Sequence, residues 1–110
     1  MVIAERTLLL KSSDTSVRIP VTIFLPKKTA SAWGCRYQID WPGGIRSSEV
    51  FGFDSMQALL HAMQAVGAEV YTSDAHRSGQ LRWTDEDDGY GFPVPSLMRD
   101  QLTKGDSQYL

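Results

Sequence analysis

The stretch Asp54-Ser-Met-Gln-Ala-Leu-Leu-His-Ala-Met-Gln-Ala-Val-Gly-Ala-Glu-Val70 decides how this chain folds. Met56, Leu59, Leu60, Met63, Val66, Gly67 and Val70 recur at the intervals that bring side chains to one face of a 3.6-residue repeat, and Gln57, His61, Gln64, Ala68 and Thr72 fall opposite. The pattern is that of an amphipathic helix whose single apolar stripe must cover another layer. Asp54 supplies an N-cap carboxylate for the free amides of the first turn, Gln57 can reach back as in a capping box, and Phe53 stands just outside the cap. Ala58, Ala62 and Ala65 add helix propensity. Gly67 costs roughly 1 kcal/mol relative to alanine, which points to a neighbouring backbone packed close against it.

Upstream of the helix the period changes from 3.6 to 2. Val17, Ile19, Val21, Ile23 and Leu25 alternate with Arg18, Pro20, Thr22, Phe24 and Pro26, and Trp33, Cys35, Tyr37, Ile39 and Trp41 alternate with Ala32, Gly34, Arg36, Gln38 and Asp40. The first set of each pair is expected to lie beneath the helix and the second to face away. Turn formers at 12–15 and 26–31 separate these strands from each other and from a first strand around residues 3–11. Trp41-Pro42-Gly43-Gly44 suits a type II turn into a fourth strand around 45–51. After the helix, Gln80-Leu-Arg-Trp-Thr84 reads as a short fifth strand with Leu81 and Trp83 inward, and Asp85-Glu-Asp-Asp88-Gly89 as an acidic turn. Gly91-Phe-Pro-Val-Pro95 reads as an irregular strap whose Phe92 and Val94 close one edge of the core. Residues 1–95 thus form a single α+β domain, and residues 96–110 a polar C-terminal tail with at best a short helix near 97–102 and a frayed end.

The whole composition bounds the function. The 110 residues suit one domain with a core of its own, and 11 basic against 13 acidic residues give a net charge of −2, which lacks the footprint of a nucleic-acid binder. The single cysteine, Cys35, excludes an internal disulfide. The N-terminal residues form no signal-peptide pattern, and the apolar runs fall far short of the roughly 20 residues that span a bilayer. A cytoplasmic protein of bacterial type, with no membrane role, is the expectation.

Residues that carry chemistry are few. His61 falls on the helix face opposite the apolar stripe, where a histidine is usually only solvated. Asp74 and His76 form an Asp-x-His pair, yet two histidines and one cysteine are a thin supply for a catalytic zinc site, so no metal and no cofactor is expected. Cys35 falls among inward strand residues, as a small buried hydrophobe rather than an exposed nucleophile. Asp85, Glu86, Asp87 and Asp88 lack the ligand spacing of an EF-hand, whose twelfth position here is Ser96. They form a solvated acidic edge able to steer a basic surface. Trp33, Tyr37, Trp41 and Trp83 read as core ahead of pocket. Arg6 shares its face with Leu8 and Leu10, so either a bulge re-aims it or an acidic partner meets it.

Several of these segments carry a resemblance. Ile3-Ala-Glu-Arg-Thr-Leu8, Trp33 with Cys35 and Tyr37, Gly52-Phe-Asp-Ser-Met-Gln-Ala-Leu59, Leu81 with Trp83, and Gly91-Phe-Pro93 together resemble a family of short bacterial proteins catalogued only as a domain of unknown function, over about residues 2–95. The resemblance implies a small soluble protein of a kind often suspected of binding another protein. Its most specific residues, Asp54, Gln57, Ala58 and Leu59, are capping and packing residues and transfer no active site.

The sequence therefore predicts a two-layer α+β domain, an antiparallel meander of four to five strands with one long helix across one face. The expected function is non-catalytic binding of another protein, with an immunity-like role among the options. The expected surfaces are the outward sheet face, with Arg18, Phe24, Arg36 and Gln38, and the acidic edge Asp85, Glu86, Asp87 and Asp88. The alternative is a small-molecule site or minor enzyme near Trp41, Asp74, His76 and Trp83. Homodimerisation through a strand edge or the bare sheet face is a third option.

Overall fold

The computed structural model describes residues 1–84 and 89–110. Four long strands, β1 (Val2–Lys11), β2 (Ser16–Phe24), β4 (Trp33–Trp41) and β5 (Gly44–Gly52), form an antiparallel meander. The two-residue β3 (Lys27–Lys28) continues β2 along β4 after the break at Leu25-Pro26, pairing with Gly34 and Trp33. Helix α1 (Ser55–Tyr71) then crosses β5 and β4. The short α2 (Asp74–Arg77) leads to β6 (Leu81–Arg82), which pairs antiparallel with β1 at Leu10 and Leu9. A 3-10 turn (Ser96–Gln101) and α3 (Lys104–Ser107) follow. The architecture is the predicted two-layer α+β fold, with β5 at one edge of the sheet and β6 at the other.

The register explains the core. Leu8 opposes Ile19, and Val21 opposes Ile39, so the inward rows of three strands meet under the helix. Leu8, Ile19, Ile39, Val66 and Val70 are fully buried, each contributing on the order of 2 kcal/mol. Val17 near the start of β2 and Leu25 just beyond its end, both expected to face inward, are exposed. At the β4–β5 hairpin, Trp41 pairs with Gly44 across Pro42-Gly43, but the turn is not type II. Gly43 has no positive φ, and the positive value, 156°, falls on Gly44. Both glycines stand in open space, so nothing in the packing selects the first of them.

Helix α1 begins as its sequence dictates. The Asp54 carboxylate accepts from the Gln57 amide at 2.8 Å, and Gln57 Oε1 accepts from the Phe53 amide at 2.7 Å, a capping box drawn one residue outward. The buried face departs from expectation. Ala58 and Ala62 contact the sheet, while Met56 is 78% and Leu60 48% exposed. The cause is close approach: a Cβ on Gly52 would lie 2.5 Å from the Ala58 amide nitrogen, leaving room beneath the first two turns for methyl groups alone. From Val66 onward the predicted stripe is buried, and Gly67 meets the backbone anticipated for it, since a Cβ there would overlap the Pro93 carbonyl.

Residues 90–95 are that backbone. Tyr90, Phe92 and Val94 are all buried and lock the second half of α1. The tail beyond them is docked rather than frayed, because Asp106 is buried and its carboxylate accepts from the amides of Tyr90 (3.0 Å) and Gly91 (2.9 Å) and from the Tyr71 hydroxyl (2.5 Å).

Candidate functional site

The first half of α1 borders a groove. Leu59 and Met63 form one wall, Ile3, Ala4, Glu5 and Arg6 of β1 the other, Val21 and Ile23 of β2 lie in the floor and Phe92 also lines it, enclosing about 330 Å³. Leu59 and Met63 are half-buried, and Met56 and Leu60 stand above them on the solvent side of the same helix. Phe53, before the cap, is 94% exposed. Residues three and four apart on a helix are neighbours, so Met56, Leu59, Leu60 and Met63 make one apolar surface descending into the groove. Patches of this kind mark interaction sites, and methionine adapts its shape to a partner. The helical period revealed these side chains, but pointed them at the core.

The outward sheet face assembles differently. The Arg36 guanidinium lies 4.7 Å from the centroid of the Phe24 ring, Gln38 donates to Asp40 at 2.8 Å, and Arg18 is exposed further along β2. Arg36 opposes Glu49 in register, and a shallow hollow of about 170 Å³ sits beside them. Phe24 is half-covered by its cation, so this part of the face presents charge and amide groups, whereas Ile45 and Phe51 of β5 stand exposed along its edge. The acidic residues Asp85, Glu86, Asp87 and Asp88 lie outside the described residues.

The residues expected around a second pocket separate. Asp74 is fully solvated and pairs with Arg77 at 2.6 Å on α2. His76 turns inward, its Nδ1 2.5 Å from the Tyr90 hydroxyl, with its ring edge-on to Tyr71 and Tyr90. Burial, with a smaller contribution from Arg77, lowers the His76 pKa, which favours the neutral ring. Trp41 packs against the core beside the β4–β5 hairpin. Trp83 alone lines a cavity, about 500 Å³, shared with Gly91, Asp106 and Tyr109.

Behind that cavity Arg6 keeps to the helix side of the sheet. The bulge of β1 falls between Val2 and Ala4 and does not re-aim it. Its Nη1 donates to the carbonyls of Tyr90 (3.0 Å) and Gly91 (2.9 Å), and its guanidinium lies 4.0 Å from the Trp83 ring centroid and 4.8 Å from that of Phe92. Burial lowers the pKa of Arg6, and the charge of Asp106 opposes that shift. Gly91, at φ 73°, gives the loop the tight bend that Arg6 and Asp106 grip from either side. Burial and the bond to Asp106 push the Tyr71 hydroxyl up to about 12. Asp106 was invisible as a site residue from sequence, although Thr103-Lys-Gly-Asp106 is a capping-box spacing and Thr103 does cap α3.

Two further residues are placed by the fold. His61 is half-buried instead of solvated, with Nδ1 2.8 Å from the Phe51 carbonyl, because the rotation that buries Ala58 and Ala62 carries it to the β5 side. Cys35 is buried as expected; it donates to the Phe24 carbonyl at 3.3 Å, and burial, then Glu49, push its thiol pKa up, away from nucleophilic thiolate. Among the described residues, no group of three or more His, Cys, Asp or Glu side chains is placed to hold a metal, and no helix is long and apolar enough to cross a membrane.

The fold and these surfaces define a two-layer α+β domain with a largely apolar groove that is open among the described residues. The chain belongs to the family described as a domain of unknown function, DUF6968, which matches residues 4–94. No curated protein and no solved structure matches it. The matched region contains the groove apart from Ile3 and ends before α3 and Asp106.

Proposed function

We infer that this protein is a non-catalytic protein-binding module whose recognition surface is the groove between α1 and β1. One observation carries the reading: Met56 and Leu60 are exposed directly above an apolar groove floored by core residues. A partner offering an apolar ridge, such as one face of an amphipathic helix, suits this surface. An immunity-like role, in which the bound ridge belongs to a toxin or enzyme silenced by capture, is one form of the same reading. The buried free thiol of Cys35 suits a reducing compartment, and we place the protein in a bacterial cytoplasm. Affinity capture from the source organism tests the site, comparing the wild type with Met56→Asp, Leu60→Asp and the outward-face variant Arg36→Glu. Loss of the same partner in the first two variants alone supports the groove. Capture that survives both would overturn it and return the search to the sheet face and the acidic edge.

A second reading places a small molecule in the Trp83 cavity, favoured by its volume of about 500 Å³ and its aromatic wall. Quenching of tryptophan fluorescence by a metabolite panel, abolished in Trp83→Phe, is its expected signature. A panel without effect removes it.

A further inference from the structure

The geometry points to a homodimer formed by antiparallel pairing of β5 with β5 of a second copy around a two-fold axis at Ser48. Strand β5 runs nine residues and pairs only with β4, so among the described residues its outer side carries no strand. Long unpaired edges template the addition of another strand.

The hydrogen-bond phase is set by the hairpin. Trp41 and Gly44 flank a two-residue loop and form its bonded pair, so alternate residues of β5 turn their amide and carbonyl toward β4. Ile45, Ser47, Glu49 and Phe51 therefore turn theirs to the outer edge. The Phe51 carbonyl confirms this phase, since it is reached from the helix by His61 and keeps a second lone pair for a partner amide.

Symmetry then selects one register. Antiparallel pairing around Ser48 sets Ile45 against Phe51 and Ser47 against Glu49, matching edge-facing residues only with edge-facing residues. A slip of one residue opposes side chains of opposite faces. A slip of two leaves Ile45 or Phe51 without its counterpart. Ile45 and Phe51 are 68% and 50% exposed, both on the outward face, and the two-fold brings each against the other twice. On the helix side Arg46, bonded to Glu69 at 3.0 Å, faces Val50, so no like charges meet. The second copy is thus the occupant that this edge fits, and it leaves the α1 groove free.

Sedimentation equilibrium of the full chain is expected to show a reversible dimer. Ile45→Glu and Phe51→Lys, each outward-facing and compatible with folding, are each expected to raise the dissociation constant about tenfold or more. Their combination places opposite charges across both symmetric pairs and is expected to restore the dimer to within about threefold of wild type, which only this register explains. A chain monomeric at all accessible concentrations overturns the proposal. So does a dimer indifferent to both single changes, or a double variant no tighter than the singles. A dimer broken by Leu60→Asp but not by Phe51→Lys assigns self-association to the groove, against this proposal.

Discussion

The two halves of α1 carry the same apolar rhythm and meet opposite fates. In the second half Val66, Gly67, Val70 and Tyr71 are clamped between the sheet and residues 90–95, which Asp106 and Arg6 anchor from either side. In the first half Ala58 and Ala62 meet the sheet, and the larger Met56 and Leu60 are left in water. The difference has two sources: Gly52 holds the first turns close to the sheet, and among the described residues the strap covers the second half, reaching the first only with Phe92 at the groove. It teaches that an apolar stripe reports the need for a cover and does not say whether this chain supplies it. A helix half covered by its own strap stabilises the fold, and a half without such cover is free to recognise something else.

The sharpest way to break this contrast is Gly67→Val. Its side chain would overlap the Pro93 carbonyl, so the strap must move, and a loss of about 3 kcal/mol is expected, read as a fall of roughly 10–20 °C in Tm. If Gly67→Val melts like the wild type, the second half of the helix is no more confined than the first. Asp106→Ala, which takes the acceptor from two backbone amides and leaves the Tyr71 hydroxyl only its bonds to Thr103, is expected to cost about 2–3 kcal/mol. Denaturant melts measure that loss, and faster hydrogen exchange at Tyr90 and Gly91 locates it.

Protons probe the same clamp. Tyr71 titrates near 12 in the folded protein and near 10 when unfolded, so the folded state holds its proton more tightly. The resulting stability is fully present below pH 10 and is lost as pH rises toward 12, by about 2 kcal/mol. Tyr71→Phe is expected to flatten this alkaline limb in denaturant titrations; an unchanged limb would detach Tyr71 from the clamp. His76 acts on the acid side: its folded pKa is lowered, so stability falls as pH drops below about 6.5 and the unfolded chain takes the proton first.

The smallest effect on stability belongs to the uncovered half. Met56→Asp and Leu60→Asp are expected to shift unfolding by within about 0.5 kcal/mol, because neither side chain is buried. Calorimetry showing a loss of several kcal/mol for either would mean that these residues hold the fold together. The proposed binding surface would then lose its basis.

Much of this arrangement was legible in advance. The strand periods, the Asp54 cap, the inward Cys35 and the strap at Phe92 and Val94 all follow from local rules, since each depends on residues within a few positions of one another. The rotation of α1 was not legible, because it depends on Gly52 touching Ala58 across a strand-to-helix junction. Nor was the role of Asp106, which lies 35 residues from the tyrosine it bonds. The Asp74 and His76 pair misled for the same reason: two positions apart in sequence, they diverge because α2 turns one to solvent and the other to Tyr90.

By itself the sequence determined the class of fold and the register of hydrophobic faces, because periodicity and capping are properties of short segments. Only the tertiary structure decided which apolar residues become core and which become surface. That choice depends on how closely two backbones approach and on where a distant strap comes to rest, and neither is written in any local pattern.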